Sequence, residues 1–181
     1  MSKPIVFFDM DGFIARYERW AYQPDLTGIS PFENETFHYF RTCERDEYAY
    51  ALIKEITKTY NTYFLTTVPV TMPWHIMDKI QWIKEKIPEI DPHTKLLIAN
   101  SDKSEVADVL LKTKTLENVV LFDDYNPNLI AWRNAGGIAI KYLNGVNSPD
   151  SYDGVNISDK TPIPDVIKLL NYITNFTPRR Q

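Results

Sequence analysis

The 181-residue sequence contains one cysteine, six glycines and three histidines, and each of these low counts argues against a class of site. Cys43 has no partner for an intrachain disulfide, which fits a reducing compartment. His38, His75 and His93 lack the spacing of a zinc motif, so we expect them to be surface or structural residues. Neither a Gly-x-Gly-x-x-Gly motif nor a Gly-Lys-Ser/Thr loop is present, and this argues against a dinucleotide enzyme or a P-loop NTPase.

Net positive charge and long apolar runs are also missing. The formal net charge of −4 argues against a surface for duplex nucleic acid, although a single nucleotide could still bind. No segment approaches the roughly 20 apolar residues of a membrane-spanning helix. The first apolar run is interrupted by Asp9, too early for the core of a signal peptide. We therefore expect a cytoplasmic protein that has no membrane partner.

The residues that follow the first apolar run are the most informative feature of the sequence. Residues 5–8 are typical of a short strand, and Asp9, Met10, Asp11 and Gly12 follow them directly. Two carboxylates at this spacing point the same way, and they repel each other unless a cation lies between them or one is protonated. Gly12 allows a tight turn and the close approach of a ligand. The pattern favours Mg²⁺ and phosphate chemistry, although a strand that runs into an ordinary Asp-Gly turn would look the same.

Three later apolar runs also end in polar residues. They are residues 62–65 before Thr66 and Thr67, residues 95–99 before Lys103, and residues 118–122 before Asp123 and Asp124. Taken singly, each has a simpler explanation, such as a solvated lysine or a helix N-cap. Taken together, they would meet at one edge of a parallel sheet, where α/β proteins bind ligands.

Alternation of strands and helices predicts an α/β fold, with a Rossmann-like parallel sheet and helices on both faces. On the second long helix, the apolar spacing predicts a buried face made of Ile76, Ile80, Ile83 and Ile87. The remaining predicted elements are, in chain order, helix 45–59, helix 74–86, a short helix capped by Ser104, a helix that begins at Pro127, strand 138–140, loop 144–162 and helix 164–175.

The ordered set Asp-x-Asp-Gly, Thr, Lys and Asp-Asp resembles the haloacid dehalogenase-like (HAD) phosphohydrolase superfamily over residues 5–142. Within the superfamily, the chain is most similar to the 5′(3′)-deoxyribonucleotidases, on residues 65–69, 79–83, 102–104 and 122–124. That family has a Thr-Ser pair directly before a proline, whereas here Val68 separates the Thr pair from Pro69. The resemblance implies that residues 1–12 and 44–176 form the HAD-like core and that residues 13–43 form a small cap inserted after the first strand. Residues 177–181 are predicted to be a disordered tail.

The resemblance also implies a mechanism. Asp9 would attack the phosphorus and form an aspartyl-phosphate, while Asp11 would act as general acid and then as general base. Lys103 would offset the charge of the transferring phosphoryl group. Thr66 and Thr67 would bind phosphate oxygens.

Mg²⁺ is the cofactor that the resemblance implies. Its ligands would be Asp9, the backbone carbonyl of Asp11, a phosphate oxygen and one carboxylate of the Asp123-Asp124 pair. Asp124 is favoured as the direct ligand, and Asp123 would act through water or orient Lys103. The substrate would be a small-molecule phosphomonoester, with a nucleoside monophosphate favoured. Aromatic residues of the insertion, Trp20 and Phe37 among them, are candidates for stacking on the base.

Other functions fit parts of the pattern. A sugar phosphate or a phosphorylated polynucleotide end could use the same core, and a non-catalytic phosphate-binding module could keep the same fold. A phospho-receiver domain also carries aspartates, Thr and Lys on a parallel sheet, but there the adjacent aspartate pair comes first. Here the adjacent pair, Asp123-Asp124, comes last.

Overall fold

The centre of the molecule is a parallel sheet. The structure, a computed structural model, describes residues 4–112, 115–146 and 152–175. Over these residues six strands pair in the order β3-β2-β1-β4-β5-β6, and every pairing is parallel. The strands are β1 (Ile5–Phe8), β2 (Asn61–Thr67), β3 (Leu96–Ala99), β4 (Val119–Asp123), β5 (Ile138–Tyr142) and β6 (Val155–Ile157). The prediction of a parallel α/β sheet is confirmed, and β1 lies in its interior.

Helices cover both faces of the sheet. They are α1 (Tyr39–Thr42), α2 (Glu47–Thr57), α3 (Trp74–Lys86), α4 (Pro92–Lys95), α5 (Lys103–Leu111), α6 (Asn126–Asn134) and α7 (Ile163–Asn175). Because side chains alternate along a strand, β1 feeds two hydrophobic cores. Val6 and Phe8 pack in one core with α2, α3 and α7, and Phe7 packs in the other with α5 and α6. No helix in the described ranges is long and apolar enough to cross a membrane.

Two local predictions are wrong. Asp102, not Ser104, is the N-cap of α5, and its carboxylate accepts a hydrogen bond from the backbone N–H of Ser104 at 2.8 Å. The segment 144–162, predicted to be a loop, contains β6, which pairs with β5. Three residues are too short a stretch to show the alternation by which a strand is recognised. The predicted tail, residues 177–181, lies outside the described residues.

The predicted buried face of α3 is also wrong in part. Ile76 and Ile80 are partly exposed. The residues that α3 buries are His75, Asp78, Lys79, Trp82 and Ile83. The helix therefore turns three ionisable side chains inward, which hydrophobic periodicity cannot anticipate.

An insertion follows the first strand, as predicted. Residues 13–43 contain a short 3₁₀ helix (Arg19–Tyr22) and α1. The insertion begins and ends close together, because Ala15 forms an antiparallel bridge with Arg45. Several of its side chains, including Tyr39 and Phe40, belong to the same hydrophobic cluster as α2 and α3. The division of the chain into a core and a cap stays a prediction.

Candidate active site

The carboxyl ends of the three neighbouring strands β2, β1 and β4 bring the predicted residues together. Asp9 follows β1, and its backbone N–H donates to the carbonyl of Phe122 in β4 at 2.8 Å. Asp123 ends β4, and Thr67 ends β2. The register of parallel strands thus sets residues that are far apart in sequence beside one another.

Three aspartates form a compact acidic cluster. Asp9, Asp123 and Asp124 are buried, and one carboxylate oxygen of each lies within 4.8 Å of the others. Burial raises the pKa of Asp9 well above its usual range; Lys103 opposes this effect, and Asp123 adds to it. Carboxylate oxygens grouped in this way are ligands that suit Mg²⁺. The residues present therefore fit a divalent cation.

Gly12 allows the loops after β1 and β4 to approach each other. Its φ of +77° favours glycine, and a Cβ at this position would lie 2.1 Å from Oδ2 of Asp124. Asn144, after β5, donates from Nδ2 to Oδ2 of Asp124 at 2.6 Å and to the carbonyl of Gly12 at 3.0 Å. Sequence reasoning missed Asn144, because a single asparagine in a polar loop carries no motif.

Lys103 lies between Asp9 and Asp123. Its Nζ donates to Oδ1 of Asp9 and to Oδ2 of Asp123, both at 2.6 Å. Burial lowers the pKa of this lysine, but attraction to Asp123 and Asp9 outweighs burial and raises it above its usual value. Asp123 also accepts hydrogen bonds from the backbone N–H of Tyr125 at 2.8 Å and from Nδ2 of Asn128 at 3.0 Å. Both oxygens of Asp123 are therefore occupied by protein donors.

A second buried lysine holds Asp11. Nζ of Lys79 donates to Oδ2 of Asp11 and to Oγ1 of Thr66, both at 2.6 Å, and to the carbonyl of Thr67 at 3.0 Å. Oδ1 of Asp11 is buried and has no hydrogen-bond partner among the described residues. Residues 79–83 carry part of the family resemblance, yet no role is predicted for Lys79, because the apolar spacing of α3 predicts that its isoleucines form the buried face.

A third buried lysine supports the loop after β4. Nζ of Lys141, in β5, donates to the carbonyl of Asp124 at 3.1 Å and to Oδ1 of Asn126. Burial lowers the pKa of Lys141, although Asp124 and Asp123 oppose this shift. The lysine thus fixes the backbone that presents Asp124.

A cavity of about 390 Å³ opens above these residues. Asp9, Asp11, Thr67, Lys103 and Asp124 contribute to its polar lining. Its other walls are Tyr17, Tyr22 and Phe32 of the insertion and, outside the insertion, Ser101, Tyr125 and Asn128. Thr66 and Asp123 are fully buried and do not line the cavity.

The two aromatic residues predicted to stack on a base lie outside the cavity lining. Trp20 and Phe37 do not line the cavity; their rings pack against each other with centroids 6.1 Å apart. Tyr22 and Phe32 do line it, and their ring centroids are 4.7 Å apart. Tyr17, Tyr22 and Phe32, the aromatic residues of the insertion that line the cavity, form an aromatic wall. The sequence does not distinguish these residues from the other aromatics of the insertion, because the insertion has no regular periodicity.

The fold is that of the haloacid dehalogenase-like proteins. No protein-family model matches the chain, and no curated protein matches it. Solved structures do. A haloacid dehalogenase-like hydrolase from Streptococcus pneumoniae is 15% identical, with a TM-score of 0.62 over 93% of this chain and 98% of that one. A HAD hydrolase from Bacillus subtilis, bound to magnesium, is 10% identical, with a TM-score of 0.64 over 94% and 100%.

A third similar structure is that of a phosphatase. The D,D-heptose 1,7-bisphosphate phosphatase from B. bronchiseptica, in complex with magnesium and phosphate, is 11% identical to this chain. Its TM-score is 0.58, over 94% of this chain and 98% of that one. At these identities the likeness shows the fold, and the chemistry must be argued from the site.

Proposed function

We propose that the protein is a Mg²⁺-dependent phosphomonoesterase that works through an aspartyl-phosphate on Asp9, with nucleoside monophosphates as its preferred substrates. The observation that carries the proposal is the arrangement at the cavity floor. Asp9 lies in an acidic cluster with one buried lysine, and the carboxylate of Asp11 is held separately by another. The nucleophile and the proton donor are therefore held by two different lysines.

Asp9 and Lys103 carry the first half of the reaction. Asp9 attacks the phosphorus through a carboxylate oxygen, and the bond between phosphorus and the leaving oxygen breaks. Lys103 offsets negative charge beside the reacting group. Asp9, Asp124 and the backbone carbonyl of Asp11 would hold Mg²⁺, which would supply further positive charge at the phosphate. Asp124 is the better candidate for direct coordination, because Asp124 lines the cavity whereas Asp123 is buried behind it.

Asp11 carries the proton transfers. The carboxyl group of Asp11, held at Oδ2 by Lys79, delivers a proton to the leaving alkoxide. Asp11 then takes a proton from the water that attacks the aspartyl-phosphate, and inorganic phosphate is released. Thr67, on the cavity wall, completes the proposed phosphate site, while Thr66, buried behind it, accepts a hydrogen bond from Lys79.

The insertion supports the choice of a nucleotide. Tyr17, Tyr22 and Phe32 present aromatic surface to the cavity, and stacking of a base on such a ring contributes about 1–3 kcal/mol in other proteins. A sugar phosphate is the second candidate, because a protein with the same fold is a heptose bisphosphate phosphatase.

A panel of phosphomonoesters and one acyl phosphate tests the proposal. Acetyl phosphate, p-nitrophenyl phosphate, sugar phosphates and nucleoside monophosphates are each assayed for phosphate release, with Mg²⁺ and with excess chelator. We expect turnover that needs Mg²⁺, with thymidine 5′-monophosphate ahead of every sugar phosphate in kcat/KM. Full activity in chelator would refute the metal-dependent mechanism. If sugar phosphates exceed all nucleotides in kcat/KM, the proposed preference for nucleotides is refuted and the proposed phosphatase activity stands.

The aromatic wall provides a matched pair of variants. Tyr22 and Phe37 are both insertion aromatics, 40% and 41% exposed, but only Tyr22 lines the cavity. Tyr22→Ala is expected to raise KM for thymidine 5′-monophosphate about tenfold, the loss of one stacking contact, and to leave KM for acetyl phosphate unchanged. Phe37→Ala is the control and should change neither value. Equal effects of the two substitutions on nucleotide KM would contradict stacking at this wall.

A further inference from the structure

Asp78 is a fully buried carboxylate that lies outside the acidic cluster and the cavity lining. It projects from α3 toward the insertion. Its Oδ1 accepts a hydrogen bond from Nε of Arg41 at 2.8 Å and lies 2.9 Å from Nδ1 of His38. Both partner side chains are 43% exposed, whereas Asp78 is inaccessible. A buried carboxylate needs such partners, so these contacts hold α1 of the insertion against α3.

Two other residues of α3 hold the insertion on the same helix face. Nε2 of His75 donates to the carbonyl of Phe32 at 2.9 Å, since a carbonyl can only accept. Nε1 of Trp82 donates to the carbonyl of Cys43 at 2.8 Å. His75, Asp78 and Trp82 follow the i, i+3, i+7 spacing of one helix face, so one side of α3 contacts the insertion at three levels.

These contacts lead directly to the cavity wall. The ring of Phe32 lies 4.8 Å from the ring of His75 and 5.8 Å from that of Phe40 in α1. On its other side, Phe32 packs against Tyr22. The neighbour of Asp78 in sequence, Lys79, meanwhile holds Asp11. One helix thus places both the aromatic wall and the proton donor.

We propose that Asp78 is a positioning residue that sets substrate selectivity, because it fixes the aromatic wall of the insertion over the cavity through Arg41 and His38. The inference rests on the proposed phosphomonoesterase function. Asp78 does not touch the phosphoryl group. Without the carboxylate of Asp78 the aromatic wall is no longer fixed. A nucleotide contacts this wall, whereas a small acyl phosphate does not.

The test compares Asp78→Asn, Arg41→Gln and the double variant with two substrates, thymidine 5′-monophosphate and acetyl phosphate. Asp78→Asn is expected to raise KM for the nucleotide about tenfold, with kcat and KM for acetyl phosphate within about twofold of the wild type. Because the two residues act through one contact, the double variant should be no worse than Asp78→Asn alone. Asp165→Asn, an exposed carboxylate on α7, is the control and should change nothing.

Hydrogen exchange gives a readout that does not depend on turnover. Backbone amides of residues 13–43 should exchange faster in Asp78→Asn, while those of the sheet keep their protection. Equal losses with both substrates, additive effects in the double variant, or unchanged exchange of the insertion would each overturn the inference. If Asp78→Asn does not fold, Arg41→Gln provides the same test, because it breaks the contact from the half-exposed side chain of Arg41. Wild-type activity on the panel decides the proposed function separately.

Discussion

Asp9→Asn is expected to lower kcat for every phosphomonoester by roughly a thousandfold or more, with no loss of folded protein. An amide oxygen is a poor nucleophile and cannot form the acyl-phosphate. The loss should be of similar size for acetyl phosphate and for a nucleotide, since both need the same attack on phosphorus. Phosphate release at rates near those of the wild type would refute Asp9 as the nucleophile.

The stability of the same variant supplies the control. Burial raises the pKa of Asp9 in the folded protein, so the folded state binds this proton more tightly than the unfolded chain does. Stability from protonated Asp9 is fully present below the ordinary aspartate pKa of about 3.9 and is lost as pH rises through the folded pKa.

Because pH 7 lies above the ordinary aspartate pKa of about 3.9, folding there must either bury the charge of Asp9 or take up a proton, and asparagine removes that cost. Without metal, the Tm of Asp9→Asn at pH 7 should equal or exceed that of the wild type. A clearly lower Tm would mean that Asp9→Asn loses turnover because it unfolds and not because it lacks the nucleophile. Asp165→Asn should leave both kcat and Tm unchanged.

Strands β1 to β5 could be predicted from the sequence because they are short apolar runs, most of them with polar residues directly after them. Strand β1 shows this most clearly: residues 6–8 are buried on both faces, and Asp9 follows at the carboxyl edge. Once parallel strands are predicted, polar residues at their ends must gather at one edge. Asp9, Asp11, Lys103 and Asp124 meet there for this reason.

The helix faces were predicted less well where the helices serve the site. On α3 the apolar spacing favours the isoleucines, yet Asp78 and Lys79 are fully buried. Their burial is stabilised by partners from other segments, which local periodicity does not contain. On α5 the first buried residues are Lys103 and Ser104, while Val109 is 80% exposed. In both helices, charge pairing across the fold outweighs the local apolar pattern.

The second large expected effect concerns Asp11, the proposed proton donor, and Lys79, which holds it. Asp11→Asn should lower kcat for thymidine 5′-monophosphate by about 10²- to 10⁴-fold, because the ribose oxygen needs a proton as it leaves. Acetyl phosphate has a good leaving group and should lose far less. Lys79→Met should show the same dependence on the leaving group, since Lys79 holds Oδ2 of Asp11 at 2.6 Å.

Asp124→Asn separates proton transfer from metal binding. It should raise the Mg²⁺ concentration needed for half-maximal activity with both substrates alike, whereas Asp11→Asn and Lys79→Met should leave that concentration unchanged. Plots of log kcat against leaving-group pKa, measured at saturating Mg²⁺, distinguish the roles. A slope that steepens in Lys79→Met supports a lysine that positions the proton donor. A parallel plot, lower by the same factor for every substrate, would instead assign Lys79 to the phosphate itself, because charge at the phosphoryl group favours its transfer from every leaving group alike.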